Sequence, residues 1–206
     1  MNARISALLA TLLVAVAPLV SAATIDVSAS ANDASITSAG SGFYNSGGWC
    51  CAANGSLGSV IDGASLPTGQ QWNIGTVFWN GDFTDTADTL TITLAQAAAV
   101  SSIYLQGDNN DVYNVSYLGL DNAWHTLAAI APNTDSSWGL GDRTVTFATI
   151  DATAFQISAA GDTYYAVSEF NAQGSFLPAV PEPTSGLLML AGLGALVSLA
   201  RRRSAR

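Results

Sequence analysis

No lysine occurs anywhere in this sequence, and five of its six basic residues, Arg4, Arg201, Arg202, Arg203 and Arg206, fall near the two ends. Only Arg143 remains in the body, against a chain total of 15 acidic residues. Such a field repels a phosphate backbone and offers no basic patch, which excludes nucleic-acid binding and favours divalent cations. Histidine is nearly absent too. Zinc hydrolases need two or three, and a serine triad needs a suitably flanked one, so the single His125, following Trp124 in a strand-like pattern, reads as a half-exposed structural residue. The only cysteines, Cys50 and Cys51, are adjacent. Neighbouring Cα atoms sit ~3.8 Å apart, below the usual disulfide span, so a strained vicinal disulfide, crosslinks between chains and free thiols all stay open. Without Cys-x-x-Cys spacing, a redox catalyst is disfavoured. Thirteen aspartates place some pair at glycosidase spacing by chance alone, and no nucleophile or acid–base pair stands out, so no catalytic residue is assigned and the protein is expected not to be an enzyme. No long amphipathic helix and no repeat of domain-building length is present.

Targeting signals occupy both ends. Residues 1–23 read as a signal peptide: Arg4, an apolar run over 5–20, then the small-residue exit Ser21-Ala22-Ala23. This implies the Sec and signal peptidase machinery and an oxidising destination. Residues 179–206 carry Pro181-Glu182-Pro183, an apolar stretch over 186–200 and the cluster Arg201-Arg202-Arg203. A helix over that stretch rises roughly 22 Å, short for a ~30 Å hydrocarbon core but workable with snorkelling arginines. Positive-inside logic leaves Arg201, Arg202 and Arg203 in the cytoplasm and the body outside, on a single transmembrane helix. These parts, in this order, resemble the PEP-CTERM sorting signal of Gram-negative bacteria. The resemblance implies recognition by an exosortase in the inner membrane, cleavage near Pro181-Glu182-Pro183, and delivery to the cell surface or exopolysaccharide matrix.

Between the signals, residues 24–178 form one domain whose pattern has period two, with β-branched and aromatic runs broken by Gly, Asn, Asp and Pro. Strands are expected over 24–28, 90–94, 102–106, 113–118, 125–130, 143–148, 154–158 and 164–171, with a short connection near 96–99. Breaks every 8–12 residues, roughly the spacing of a sandwich or barrel, give an all-β class. Asp62-Gly63, Trp72, Trp79, the 108–115 segment, Trp124 to Leu127 and Tyr164 to Phe170, in that order, resemble the discoidin, or galactose-binding-like (F5/8 type C-like), jelly-roll β-sandwich. The 24–51 segment, rich in Ser, Gly and Ala, departs from that pattern.

That resemblance implies a structural Ca2+ between an early loop and the Glu near the final strand, here Asp62 and Glu169. The residues alone point the same way for Glu169, a lone carboxylate in an apolar run that calls for a cation, for Arg143, or for access to water. The acidic stretches 81–88 and 108–111 read either as oxygen ligands for Ca2+ or as Asx turns, without an EF-hand pattern. Sugar rings stack on aromatic faces while polar side chains bind hydroxyls, which makes Trp49 and Trp138, in Gly/Ser-rich loops, and Asp108 and Asp111 the ligand-binding candidates. Trp72, Trp79 and Trp124 look like core or edge residues. The function expected is an exported, non-catalytic surface or matrix protein that binds carbohydrate. The competing expectation is a structural matrix protein held by calcium or by Cys50 and Cys51 crosslinks, without specific sugar binding.

Overall fold

The structure, a computed structural model, describes residues 23–40, 42–43, 55–80, 88–133, 138–161 and 163–178. The signal and sorting segments, Trp49, Cys50 and Cys51 therefore lie outside the described residues. The domain is all-β and antiparallel, a jelly-roll-type sandwich as the sequence led us to expect. Its strands are β1 (Ile25–Asp26), β2 (Ser35–Ala39), β3 (Val77–Asn80), β4 (Thr89–Asp108), β5 (Val112–Gly119), β6 (Trp124–Ile130), β7 (Leu140–Ala160) and β8 (Tyr164–Phe176). The described helices are two short 3-10 turns, Ser30–Asn32 and Leu57–Ile61.

Two strands are far longer than expected. Twenty extended residues reach roughly 66 Å, more than a domain of this size can span, so β4 and β7 must double back. The pairing shows how. Leu90 to Thr93 of β4 lie against Ile157 to Ala154 of β7, and after a register shift Ala98 to Asp108 lie against Ala152 to Leu140. Both strands thus run down one layer, turn over together near 94–98 and 152–154, and return up the other. The residues at this corner, Ala97, Ala98, Ala99 and Ala152, are small enough to let two strands cross. Gly174 of β8 approaches just as closely, since a Cβ there would lie 2.2 Å from the Ala99 carbonyl oxygen. One layer is ordered β2, first half of β4, second half of β7, β5, β6; the other holds β8 with β1 and β3, then the returning halves of β4 and β7. Between them lies the core, where Leu90, Ile92, Phe155 and Phe170 are buried and Phe155 meets Phe170 across the layers at 5.5 Å between ring centroids.

This path gives the domain two distinct ends. The links β3–β4, β4–β5, β6–β7 and β7–β8, and the chain leaving β2, gather at one end, called here the loop end. The far end carries the strand turnovers, the β5–β6 turn and both chain exits, since Ile25 pairs with Gly174 and Phe176 pairs with Ala98. The expected breaks at 96–99 and between 148 and 154 are corrected: Ala-rich sequence carries no strong strand propensity, but pairing on both edges holds it extended. β2 and β3 were not expected from the sequence, and the strand placed over 24–28 shrinks to β1.

Arg143 closes the loop end. Its guanidinium is buried and donates to the carbonyls of Asp111 (2.9 Å), Gly107 (3.2 Å), Ala131 (3.5 Å) and Asp108, with its carbon 4.9 Å from the centre of the Tyr113 ring. Burial lowers its pKa, opposed by Tyr113 and the nearby aspartates. Tyr113 is buried in turn, donating to the Ala166 carbonyl at 2.7 Å and accepting from the Asp108 amide at 3.0 Å. Hydrogen bonds to a charged donor are each worth about 1.5–3 kcal/mol. Replacing Arg143 with Met should therefore lower the stability of residues 24–178 by about 3 kcal/mol or more in urea unfolding. A loss within the ~0.5 kcal/mol usual for surface substitutions would contradict this role.

Candidate functional site

Four segments meet at the loop end. Gly69 donates to Leu140 O and Leu140 to Gln70 O, both at 2.8 Å, tying the 62–76 segment to the start of β7. Asn109 donates to Gly139 O at 3.0 Å, and Asn133 to Asn109 O at 2.9 Å, adding the β4–β5 turn and the chain after β6. The junction requires a glycine at 139: φ is +85°, and a Cβ would lie 2.3 Å from Gln70 O and 2.7 Å from Gly69 O. Trp138, immediately before it, is 57% exposed. A large aromatic face is thereby held outward on a base of backbone hydrogen bonds, with Asn133, Gln70, Thr68 and Asp142 on the segments that meet there.

Below this platform the 62–76 segment crosses the outer face of the β8–β4–β7 layer. Thr68 Oγ1 and Tyr104 OH donate to the Asp142 carboxylate at 2.5 and 2.6 Å, and Gln106 Nε2 reaches it at 2.8 Å. Burial pushes this carboxyl up, but the three hydrogen bonds outweigh it and hold the pKa below the usual range. Tyr104 is pushed up to about 12, by burial first and then by Asp142. Gln106 also pairs with both backbone groups of Leu66 at 2.8 Å, so the crossing segment is fastened by side chains along its length.

Nearby, the structure brings Asp62 and Glu169 together. Glu169 is fully buried; its Oε1 accepts from Asn171 Nδ2 (2.9 Å) and Gly63 N (3.2 Å), while Oε2 has no hydrogen-bond partner. Burial, then the charge of Asp62, raises the Glu169 pKa from 4.5 to about 8. Asp62 is exposed and its Oδ1 accepts from Ala64 N at 2.9 Å, an Asx turn. Arg143, the other partner considered for Glu169, spends its hydrogen bonds on carbonyls instead. Ca2+ takes about six to eight oxygen ligands. The Glu169 Oε2, the Asp62 carboxylate and backbone carbonyls of this turn suit it chemically. Among the described residues, no group of three His, Cys, Asp or Glu side chains converges on one point, so carbonyls would supply most of the ligands.

Not every expected ligand residue is available. Asp108 and Asp111 are buried, drawn inward because Arg143 binds the backbone of their turn, and neither presents a carboxylate to solvent; this corrects their assignment as sugar contacts. Of the 81–88 stretch, Asp88 is described: it is buried, and its Oδ1 accepts from Gly42 N at 3.0 Å. Trp79 is in the core, Trp72 stacks on Tyr164 at 5.8 Å, and Trp124 is exposed on the β6 edge. His125 is structural, 3.0 Å from Asp121 and stacked on Tyr117. The residues that sequence reasoning missed are Thr68, Gln70 and Asp142, and no local signal singles them out.

Residues 179–204 match the PEP-CTERM protein-sorting motif. The chain ends in a sorting signal. Its last described residue, Pro178, leaves from the far end of the domain, opposite Trp138. No curated protein matches the chain. Among solved structures, the Clostridium perfringens module CpGH89CBM32-5, in complex with GalNAc-β-1,3-galactose, is 16% identical, with 68% of this chain and 94% of that one covered at a TM-score of 0.45. The family 32 carbohydrate-binding module of Streptococcus pneumoniae EndoD is 10% identical, covering 72% and 98% at 0.45. The lectin domain of lectinolysin complexed with Lewis B antigen is 13% identical, covering 72% and 95% at 0.48.

The Glu169 carboxyl yields a prediction with a definite sign. With a folded pKa of about 8 above an ordinary 4.5, the metal-free domain gains stability from the bound proton below 4.5 and loses it as pH rises through about 8. Thermal melts in chelator should fall between pH 5 and 8, and Glu169→Gln should flatten that slope. An unchanged slope in the variant would rule out Glu169 as its source.

Proposed function

We propose that this protein is an exported, non-catalytic carbohydrate-binding protein of the cell surface or exopolysaccharide matrix. An exosortase would process it at Pro181-Glu182-Pro183 while the helix over 186–200 and the Arg201 to Arg203 cluster hold it in the inner membrane. The observation that carries the binding reading is Trp138, exposed where four interlocked segments meet, at the end opposite the exit to the sorting motif. An exposed indole on segments that also carry amide, hydroxyl and carboxylate side chains offers what a sugar ring needs: an apolar face to stack on and acceptors and donors for its hydroxyls. Trp49, in the segment that leaves the same end after Phe43, belongs to the same proposal. Burying an aromatic side chain contributes about 1.5–3 kcal/mol. Trp138→Ala should therefore weaken binding to the host's own exopolysaccharide tenfold or more in calorimetry, with the melting temperature unchanged. Equal binding by variant and wild type, or no binding by the wild type to any polysaccharide on a broad array, would refute the reading.

A second reading, a calcium-stabilised structural matrix protein, is favoured by the unsatisfied Glu169 Oε2. Ca2+ at Asp62 and Glu169 would replace the proton, so added Ca2+ should raise the melting temperature more at pH 8 than at pH 6. Glu169→Gln should abolish the increase. A Ca2+ effect that survives this substitution would place the ion elsewhere. Cys50 and Cys51 crosslinks, the other device of this reading, would show as oligomers on non-reducing gels that collapse on reduction.

A further inference from the structure

Among the described residues, five large apolar side chains are exposed, and two of them, Leu120 (54% exposed) and Trp124 (45%), flank the β5–β6 turn at the far end, where the chain exits toward the sorting motif. Ile25 (37%) is at the same end but on β1, the opposite edge of the strand order, while Ile74 and Trp138 lie elsewhere. Large apolar groups exposed at the end from which the chain leaves are available to whatever the chain brings there. The chain itself indicates the partner. Phe176 is paired to Ala98, and Leu177 donates to Ala97 O at 2.8 Å, so the fold holds the chain up to that point. The apolar run of the sorting segment begins at 186, leaving 178–185 as the connection. Eight residues at about 3.6 Å each reach at most roughly 29 Å. With the run embedded in a bilayer, this end of the domain cannot leave the neighbourhood of the lipid surface.

We propose that, before cleavage, the far end of the domain rests on the membrane that holds it, with Trp124, Leu120 and Ile25 in the headgroup layer of neutral phospholipid. This rests on the reading of 186–200 as a membrane helix. Tryptophan and leucine are suited to that layer, and tethering raises the effective concentration enough for a small patch to suffice. Charge selects the lipid. Arg143, the one Arg or Lys in 23–178, is buried at the opposite end, while Asp121 and Asp151 are exposed at this one, so the contact is apolar and gains nothing from anionic lipid. Seated so, the domain keeps Pro181-Glu182-Pro183 at the membrane surface and turns Trp138 away from it.

The test uses the full chain in phosphatidylcholine vesicles containing nitroxide-labelled lipid. No tryptophan lies in 179–206, so any quenching by the label reports on the body of the protein. The wild type should be quenched, the double variant Trp124→Ser/Leu120→Ser should lose most of that quenching, and Trp138→Ser should keep it. A chain that resists carbonate extraction but shows the same quenching in the double variant as in the wild type overturns the docking and leaves the anchor intact. Crosslinking of two copies through Trp124 with no quenching overturns it likewise. A chain stripped from vesicles by carbonate overturns the membrane helix, and the docking with it.

Discussion

Everything in this molecule follows from two strands being too long for the body that contains them. β4 and β7 must turn over together, and because they stay paired through the turn, the domain acquires a corner end and a loop end. Small residues make the corner possible, since Ala97 to Ala99, Ala152 and Gly174 let three backbones pass closely. Hydrogen bonding of both edges of the returning β4 to β7 and β8 supplies what weak local propensity does not. Chain exits at the corner and loops opposite are consequences of that one path.

The loop end is built from the inside outward. Arg143, unpaired with any carboxylate hydrogen bond in its own right, gathers four carbonyls and so holds the β4–β5 turn against β7. Burying a guanidinium is costly unless its donors are used, and here backbone carbonyls take those of both terminal nitrogens, while Nε has no hydrogen-bond partner. The same turn then receives Gly139, Gly139 admits the 69–70 backbone, and Trp138 is left standing on the result. A platform held by these backbone hydrogen bonds would lose little entropy on taking up the ligand proposed for it.

The sequence made part of this visible. Alternation in 113–118, 125–130 and 164–171 reads directly as strand because apolar residues there face one packed layer. The lone Glu169 in its apolar run announces a special environment, and the structure brings Asp62 beside it. What stayed hidden was long-range: nothing in the Ala-rich 95–99 stretch signals that two partners will hold it extended, and nothing in the 108–111 turn signals that a guanidinium 32 positions later will pull its aspartates out of solvent. Thr68 and Gln70 reach the start of β7, where Asp142 lies and which Trp138 precedes, only through the crossing of the 62–76 segment over the sheet, a contact with no local signature.

The central claim is that ligand binding occurs at the loop end and that the far end serves attachment. Amide chemical shifts of isotope-labelled 24–178 titrated with fragments of the host exopolysaccharide test it most directly. The account predicts that the perturbations cluster at 68–70, 109–111 and 138–142, with 119–125 and 152–154 unmoved. Perturbations concentrated at the β5–β6 turn and the corner, with the Trp138 segment silent, would contradict it.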